Sequence, residues 1–288
     1  MRKSILLKGL IAMLLISNCM LGSGCSVNEG QSAHEELNLV LAGMTGSDGV
    51  TFKGSTMLTK NGVSIPEAMI YFGGTMQEHK KLNIYTILPD HSRVIQKSSV
   101  RVKGVKSKVA SMKSYYSQLE KKGGKWVAPS AVTSTTEENN PLLLLNPLQQ
   151  LEALEFMEKK VSKERGAGRG TSVLRIELTP TEALEQLSTE LIKEMEELRP
   201  NPVTSTGKTE ETNKVTTQAL ADLWGKRNNE LQQNLKQASV ETIYHLTVDK
   251  KHNLPRRLTL HRKVTYPGLQ NELDKESYVS QVDFSEYR

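Results

Sequence analysis

The stretch from Val240 to Tyr266 constrains the fold more than any other part of the chain. Val240, Thr242, Tyr244, Leu246 and Val248 recur at every second position. Leu258, Leu260, Val264 and Tyr266 continue the pattern beyond a polar break at Asp249 to Leu254. Their neighbours His245, Thr247, Arg257, Thr259, His261 and Lys263 are polar. A period of two sends alternate side chains to opposite faces, so these segments are strands of one antiparallel hairpin with an apolar and a polar face. Such a sheet wets one face and needs a second layer of structure over the other.

The same period runs from Val50 to about Val127. Phe52, Thr56 and Leu58 alternate with Lys53, Ser55 and Thr59, and Leu82, Ile84, Thr86 and Leu88 share one side. Val94, Val100 and Val102 stand against Arg93, Lys97, Arg101 and Lys103. Turns are expected at Lys60-Asn61-Gly62, Gly73-Gly74, Pro89-Asp90 and Gly123-Gly124. Val173 to Leu178 predicts another strand, and Tyr278, Val282 and Phe284 a last one.

Helical spacing supplies the second layer. Leu37, Val40, Leu41 and Met44 predict a helix over 33–44, ended by Gly43 and Gly46. Asn146 suits an N-cap and Pro147 the first helical position, with Leu148, Leu151, Leu154 and Met157 as the stripe that follows. Thr179-Pro180-Thr181-Glu182 is a capping box leading to Leu184, Leu187, Leu191, Met195 and Leu198. Leu220, Leu223, Trp224, Leu231 and Leu235 mark a further helix ending near Gln237. Between these last two, Arg199 to Asn213 is polar with two prolines and reads as a mobile loop. The fold class is therefore α+β: a curved antiparallel sheet covered by amphipathic helices.

The start of the chain points to its location. Arg2 and Lys3 precede an apolar run from Gly9 to Leu21, and Leu21-Gly22-Ser23-Gly24 leads to Cys25. Charged, apolar and small-residue regions in that order form a secretory signal, and the run is short for a membrane span. Small residues before a cysteine resemble the bacterial lipobox. The resemblance implies cleavage before Cys25, a lipidated Cys25 and attachment to the extracytoplasmic face of a membrane. The expected layout is a signal over 1–24, a tether over 25–32 and one domain over 33–288 with a helical insert at about 141–237. The other cysteine, Cys19, leaves with the signal, so the mature chain has no partner for a disulfide. The formal charge is +6, and it halves once Arg2, Lys3 and Lys8 are set aside. That is too little to imply a nucleic-acid partner.

No catalytic constellation emerges. Gly-x-Ser-x-Gly, P-loop, His-Glu-x-x-His and EF-hand patterns are absent from the sequence, and no cofactor or metal is called for. His245 and His261 fall on neighbouring strands but lack the further ligands zinc requires. Gly166-Ala167-Gly168-Arg169-Gly170 precedes a strand, so it lacks the helix N-terminus that captures phosphate, and it reads as a linker. Lys97, Arg101, Lys103, Lys106 and Lys108 read as a solvated strand face.

Helix, meander, helical insert, hairpin and final strand, behind a lipobox, resemble the LolA/LolB-type half-barrel shared by LppX- and LprG-type lipoproteins. The segment Val248-Asp249-Lys250-Lys251-His252-Asn253-Leu254-Pro255-Arg256-Arg257-Leu258 is similar to the strand, Asp, polar turn, Leu-Pro, strand hairpin of these proteins. The resemblance implies an open barrel with a helical lid over an apolar face that holds a lipid or acyl chain. Tyr244, Leu246, Val248, Leu258, Leu260 and Val264 are the expected sheet contacts, with Leu148, Leu151, Leu220 and Trp224 from the lid. A second reading stays open, in which the core is filled and the outer surface meets an envelope protein. Cavity volume separates the two.

Overall fold

The computed structural model describes residues 31–87, 115–127, 142, 145–200, 210–268 and 273–288. Cys25 and its signal, the basic stretch from Lys97 to Lys108, Val94, Val100, Val102 and the Pro89-Asp90 turn lie outside the described residues.

Among the described residues ten strands form one antiparallel sheet: β1 (Gly49–Lys60), β2 (Val63–Gln77), β3 (Lys81–Thr86), β4 (Tyr116–Lys122), β5 (Lys125–Val127), β6 (Lys159–Lys163), β7 (Thr171–Leu178), β8 (Ser239–Asp249), β9 (Leu254–Pro267) and β10 (Leu273–Ser285). Their order is β5-β4-β3-β2-β1-β10-β9-β8-β7-β6, so the last strand closes the two halves of the chain together beside the first. Among the described residues β5 and β6 are the outermost strands, and the sheet does not close on itself. Among the described residues four helices accompany the sheet: α1 (Ala33–Gly46), α2 (Pro147–Ala153), α3 (Pro180–Glu197) and α4 (Glu210–Gln237). α1 packs on β9 and β6, α3 on β8 and β7, and α4 on β9.

The alternation read from the sequence is the inner face. Thr242, Tyr244, Leu246 and Val248 are fully buried, as are Phe52, Leu82 and Ile84 on the other half of the sheet. The first turn also forms as expected: Asn61 at φ 51° and Gly62 at φ 81° make the two-residue connection that needs two left-handed residues. Asp249 holds the β8–β9 turn by accepting from the Lys251 N–H (2.9 Å) and from Arg256 Nη2 (2.6 Å). The Arg256 contact, with the backbone and His252 contacts, brings the Asp249 carboxyl down to about 2.

Capping decides the helix starts. Ser32, at the end of the expected tether, accepts from the Glu35 N–H while Glu35 accepts from the Ser32 N–H, a reciprocal capping box. Asn146 accepts from the N–H groups of Leu148 and Gln149. Thr179 caps α3 through the Glu182 N–H, but Glu182 turns its carboxylate to the Glu158 N–H, so that box is half closed.

Several expectations need correction. Gly73 and Gly74 lie inside β2 rather than in a turn. A Cβ on Gly74 would come within 2.4 Å of the Phe52 ring, and one on Gly54 within 2.5 Å of the Phe72 ring. Each glycine is the seat of an aromatic side chain from the strand beside it, which sequence spacing does not reveal. Gly43 does not end α1: it lies inside the helix, where a Cβ would meet the Asn253 carbonyl at 2.8 Å. The glycine-rich segment at 166–170 is the β6–β7 hairpin connection rather than a linker, with Gly166 and Gly170 at positive φ. β6 itself, Lys-Lys-Val-Ser-Lys, carries too little apolar signal to be read. Glu210 to Asn213, expected to be loop, are the first turn of α4. The leucine stripe after Pro147 leaves the helix at Leu154, because α2 is only seven residues long.

Candidate functional site

Register aligns the inner-face residues in rows across the sheet. One row runs Phe72, Gly54, Val282, Leu258, Leu246 and Leu174, and it is apolar throughout. The next is mixed: Ile70, Thr56, Ser280, Leu260, Tyr244 and Ile176. Beyond it, Leu58, Tyr278, Arg262 and Thr242 align, followed by Lys60, Glu276, Val264 and Val240. The face therefore grades from hydrocarbon at one end to polar groups at the other.

A half-enclosed cavity of about 840 Å³ lies over the polar-graded end, between the sheet and the helices. Its floor is built by Thr56 and Leu58 from β1, Ala68 and Ile70 from β2, Tyr244 from β8, Leu260, Arg262, Val264 and Tyr266 from β9, and Glu276 and Tyr278 from β10. α3 forms one wall with Gln186, Leu187, Glu190, Leu191 and Glu194. Leu231 and Leu235 from the end of α4, with Ala238 just after it, close a second side, and Asn146, Gln149 and Ala153 around α2 a third.

The central polar group is Arg262. Its side chain is 7% exposed and gives Nη1 and Nη2 to the two oxygens of Glu190, at 2.6 and 3.3 Å. Burial works against its charge, and the Glu190 carboxylate outweighs that effect, so its pKa lies above the usual guanidinium range. Glu194, one helical turn from Glu190, has its carboxyl pushed up by burial and by the neighbouring Glu190. Tyr244 meets Gln186, whose Nε2 donates to the phenol oxygen at 3.0 Å, and burial raises the Tyr244 pKa. Burial pushes Tyr278 up to about 12. These phenols are neutral groups at any physiological pH. At the mouth Tyr266 donates to Glu276 and accepts from Lys60 Nζ at 3.1 Å.

The structure sorts the residues expected to contact a ligand. Tyr244, Leu260 and Val264 line the cavity. Leu246, Val248 and Leu258 are on the same face but at its packed end, at most 1% exposed. Leu148 and Leu151 are buried in the same core, on the far side of α2 from Asn146 and Gln149. Leu220 is half exposed on α4. Trp224 donates its indole N–H to the Met195 carbonyl at 2.7 Å, and Arg199 stacks 4.7 Å above its ring, so it joins α4 to α3 away from the cavity. Sequence reading missed Arg262, Glu190, Glu194 and Tyr278. For Arg262 a signal existed: it stands in β9 at the same parity as Leu258, Leu260 and Val264, where a charged residue has no place in an ordinary core.

The outer face holds a second cluster. The rings of His245 and His261 meet edge to face at 5.6 Å, and His245 Nε2 lies 3.2 Å from Glu164. Partial burial, then His245 and Lys263, depress the His261 pKa. Among the described residues no group of three His, Cys, Asp or Glu side chains is placed to hold a metal, and no helix is long and apolar enough to cross a membrane.

Sheet, helical cover and cavity together define an open antiparallel half-barrel with a hollow beneath its helices. Comparison with protein-family models gives no match, and neither does comparison with curated proteins. Among solved structures the chain is similar to lipovitellin, in a study of its lipid–protein interactions, at 5% identity and a TM-score of 0.36, over 83% of this chain and 25% of that one. The chain thus spans about a quarter of the length of that protein. A LolA superfamily protein from Nitrosomonas europaea shares 6% identity at a TM-score of 0.25, covering 90% of this chain and 94% of that one. A DUF1329 family protein from Desulfovibrio piger shares 9% at a TM-score of 0.25, covering 90% and 93%. Likenesses this weak carry no argument, and the class stated above rests on strand order, row composition and the cavity.

Proposed function

We propose that this protein is a lipoprotein, anchored through Cys25 on the extracytoplasmic face of a membrane, that holds a lipid or acyl chain in the half-barrel cavity. The observation that carries the reading is the cavity of about 840 Å³ over a floor of alternating strand side chains. That volume lies in the range of small-molecule sites, which are mostly apolar with a few placed polar groups. Each buried methylene contributes roughly 0.8 kcal/mol, so about ten of them sustain tight binding with no directional chemistry. The signal and lipobox residues support the anchor.

Native mass spectrometry of the purified protein, followed by solvent extraction, tests the cavity: a co-purifying lipid of defined mass is expected. Val264→Trp, which fills the floor, should abolish uptake of a neutral acyl probe while the fold survives. A protein that arrives empty and takes up no probe would leave the filled-core envelope-partner reading in front. For the anchor, Cys25→Ser should remove acyl label and membrane retention; unchanged labelling would end that part of the proposal.

A further inference from the structure

Two buried N–H donors, on residues that line the cavity, have no acceptor among the described residues. Arg262 spends Nη1 and Nη2 on Glu190, and its Nε is buried without a partner. Asn146 spends its Oδ1 on capping α2, and its Nδ2 is likewise buried without a partner. Both residues line the cavity, and they are 6% and 1% exposed. An unmade buried hydrogen bond costs free energy that a bound oxygen recovers. The donors come from different walls, β9 and the start of α2, and both lack the same thing.

Charge decides which kind of oxygen fits. The positive charge of Arg262 is already matched by Glu190 at 2.6 Å. Lys193, the other cation lining the cavity, is turned toward Glu197 at 3.8 Å. Glu194 lines the wall one turn beyond Glu190, with no ion-pair partner among the described residues. A carboxylate or phosphate entering here meets the Glu190 and Glu194 carboxyl groups and, among the lining residues, no cation without an acidic partner, so its charge is disfavoured. An ester or amide carbonyl offers the oxygen without the charge.

We propose that the cavity selects an uncharged acyl ester or amide, with its carbonyl oxygen seated against Arg262 or Asn146, over the anion of a free fatty acid. The inference rests on the hydrophobic-ligand reading above. The test is displacement of a neutral polarity-sensitive dye from the purified protein by three compounds of matched chain length: methyl laurate, laurate at pH 8, and dodecane. Methyl laurate should displace at about tenfold lower concentration than either of the others, the worth of one good hydrogen bond. Arg262→Lys keeps a cation for Glu190 and removes the Nε donor; Asn146→Ser keeps an N-cap and removes the amide donor. At least one should erase the advantage of the ester over the hydrocarbon while dodecane binding persists, and that persistence reports an intact cavity. Laurate displacing as well as the ester overturns the proposal, as does an ester advantage that survives in both variants. Displacement by none of the three defeats the hydrophobic-ligand reading itself.

Discussion

The two ends of the sheet's inner face use one alternating pattern and reach opposite outcomes. At one end Leu246, Leu258, Val282 and Leu174 meet in a row with no polar atom, and α1 seals them with Leu37, Val40 and Met44. At the other, the same strands present Arg262, Tyr278 and Thr242, and the helices arch over a hollow. The packed end is held by many small contacts, whereas at the hollow end the Arg262–Glu190 ion pair and the Gln186–Tyr244 hydrogen bond tie the sheet to α3. Core density follows row composition, and the row is a property of register rather than of any single strand.

That contrast can be broken most sharply at the packed end. Phe52→Ala removes a fully buried ring and leaves its seat over Gly74 empty, with an expected cost of about 3–5 kcal/mol in chemical denaturation. At the hollow end Glu190→Ala strands the buried Arg262. The expected cost is about 3 kcal/mol, the low side for a buried pair because the Glu190 side chain is itself 40% exposed. A loss below about 1 kcal/mol would mean that the pair does not hold α3 to the sheet.

A matched pair of tryptophans sharpens the comparison further. Leu246→Trp overpacks its row and should cost about 1–3 kcal/mol, whereas Val264→Trp should cost less than about 1 kcal/mol because its ring enters open space. Equal losses would make the two ends alike.

The smallest effect concerns acid. Asp249 has a folded pKa of about 2 against an ordinary 3.8, so its stabilisation is fully present above about pH 4 and is lost as pH falls toward 2. Amide exchange at Lys251 should accelerate across that window in the wild type. Asp249→Asn should exchange fast throughout, and a wild-type rate without a step there would separate the turn from Asp249 ionisation.

The inner face was legible in the sequence because its alternation is local: Val240 to Val248 and Leu258 to Tyr266 declare their parity. Which part of that face is hollow was not legible. Leu246 and Leu260 look alike in sequence, and only the helix above each distinguishes them. Cavities are set by what fails to arrive, and that depends on the reach of α3 and α4, which no period encodes. The Gly73-Gly74 pair misled for a related reason, since its purpose lies on β1. The polar site could have been found from Arg262, whose parity conflicts with its charge.

One hairpin carries a consequence for how such a hollow can change. β1 and β2 are pinned at one end by Phe52 on Gly74 and Phe72 on Gly54, and at the other by the Asn61-Gly62 turn. Pairing passes from Thr56↔Ile70 to Leu58↔Ile65, so four residues of β2, 66–69, answer one residue of β1. Pro66, which cannot donate to a ladder, falls in this bulge, and Ala68 beside it lines the cavity. The surplus length of the hairpin is thus parked directly on the cavity wall, between two anchors that fix everything else. A change in the number of residues there is expected to alter the cavity wall while the two anchors hold the register of the pairs on either side.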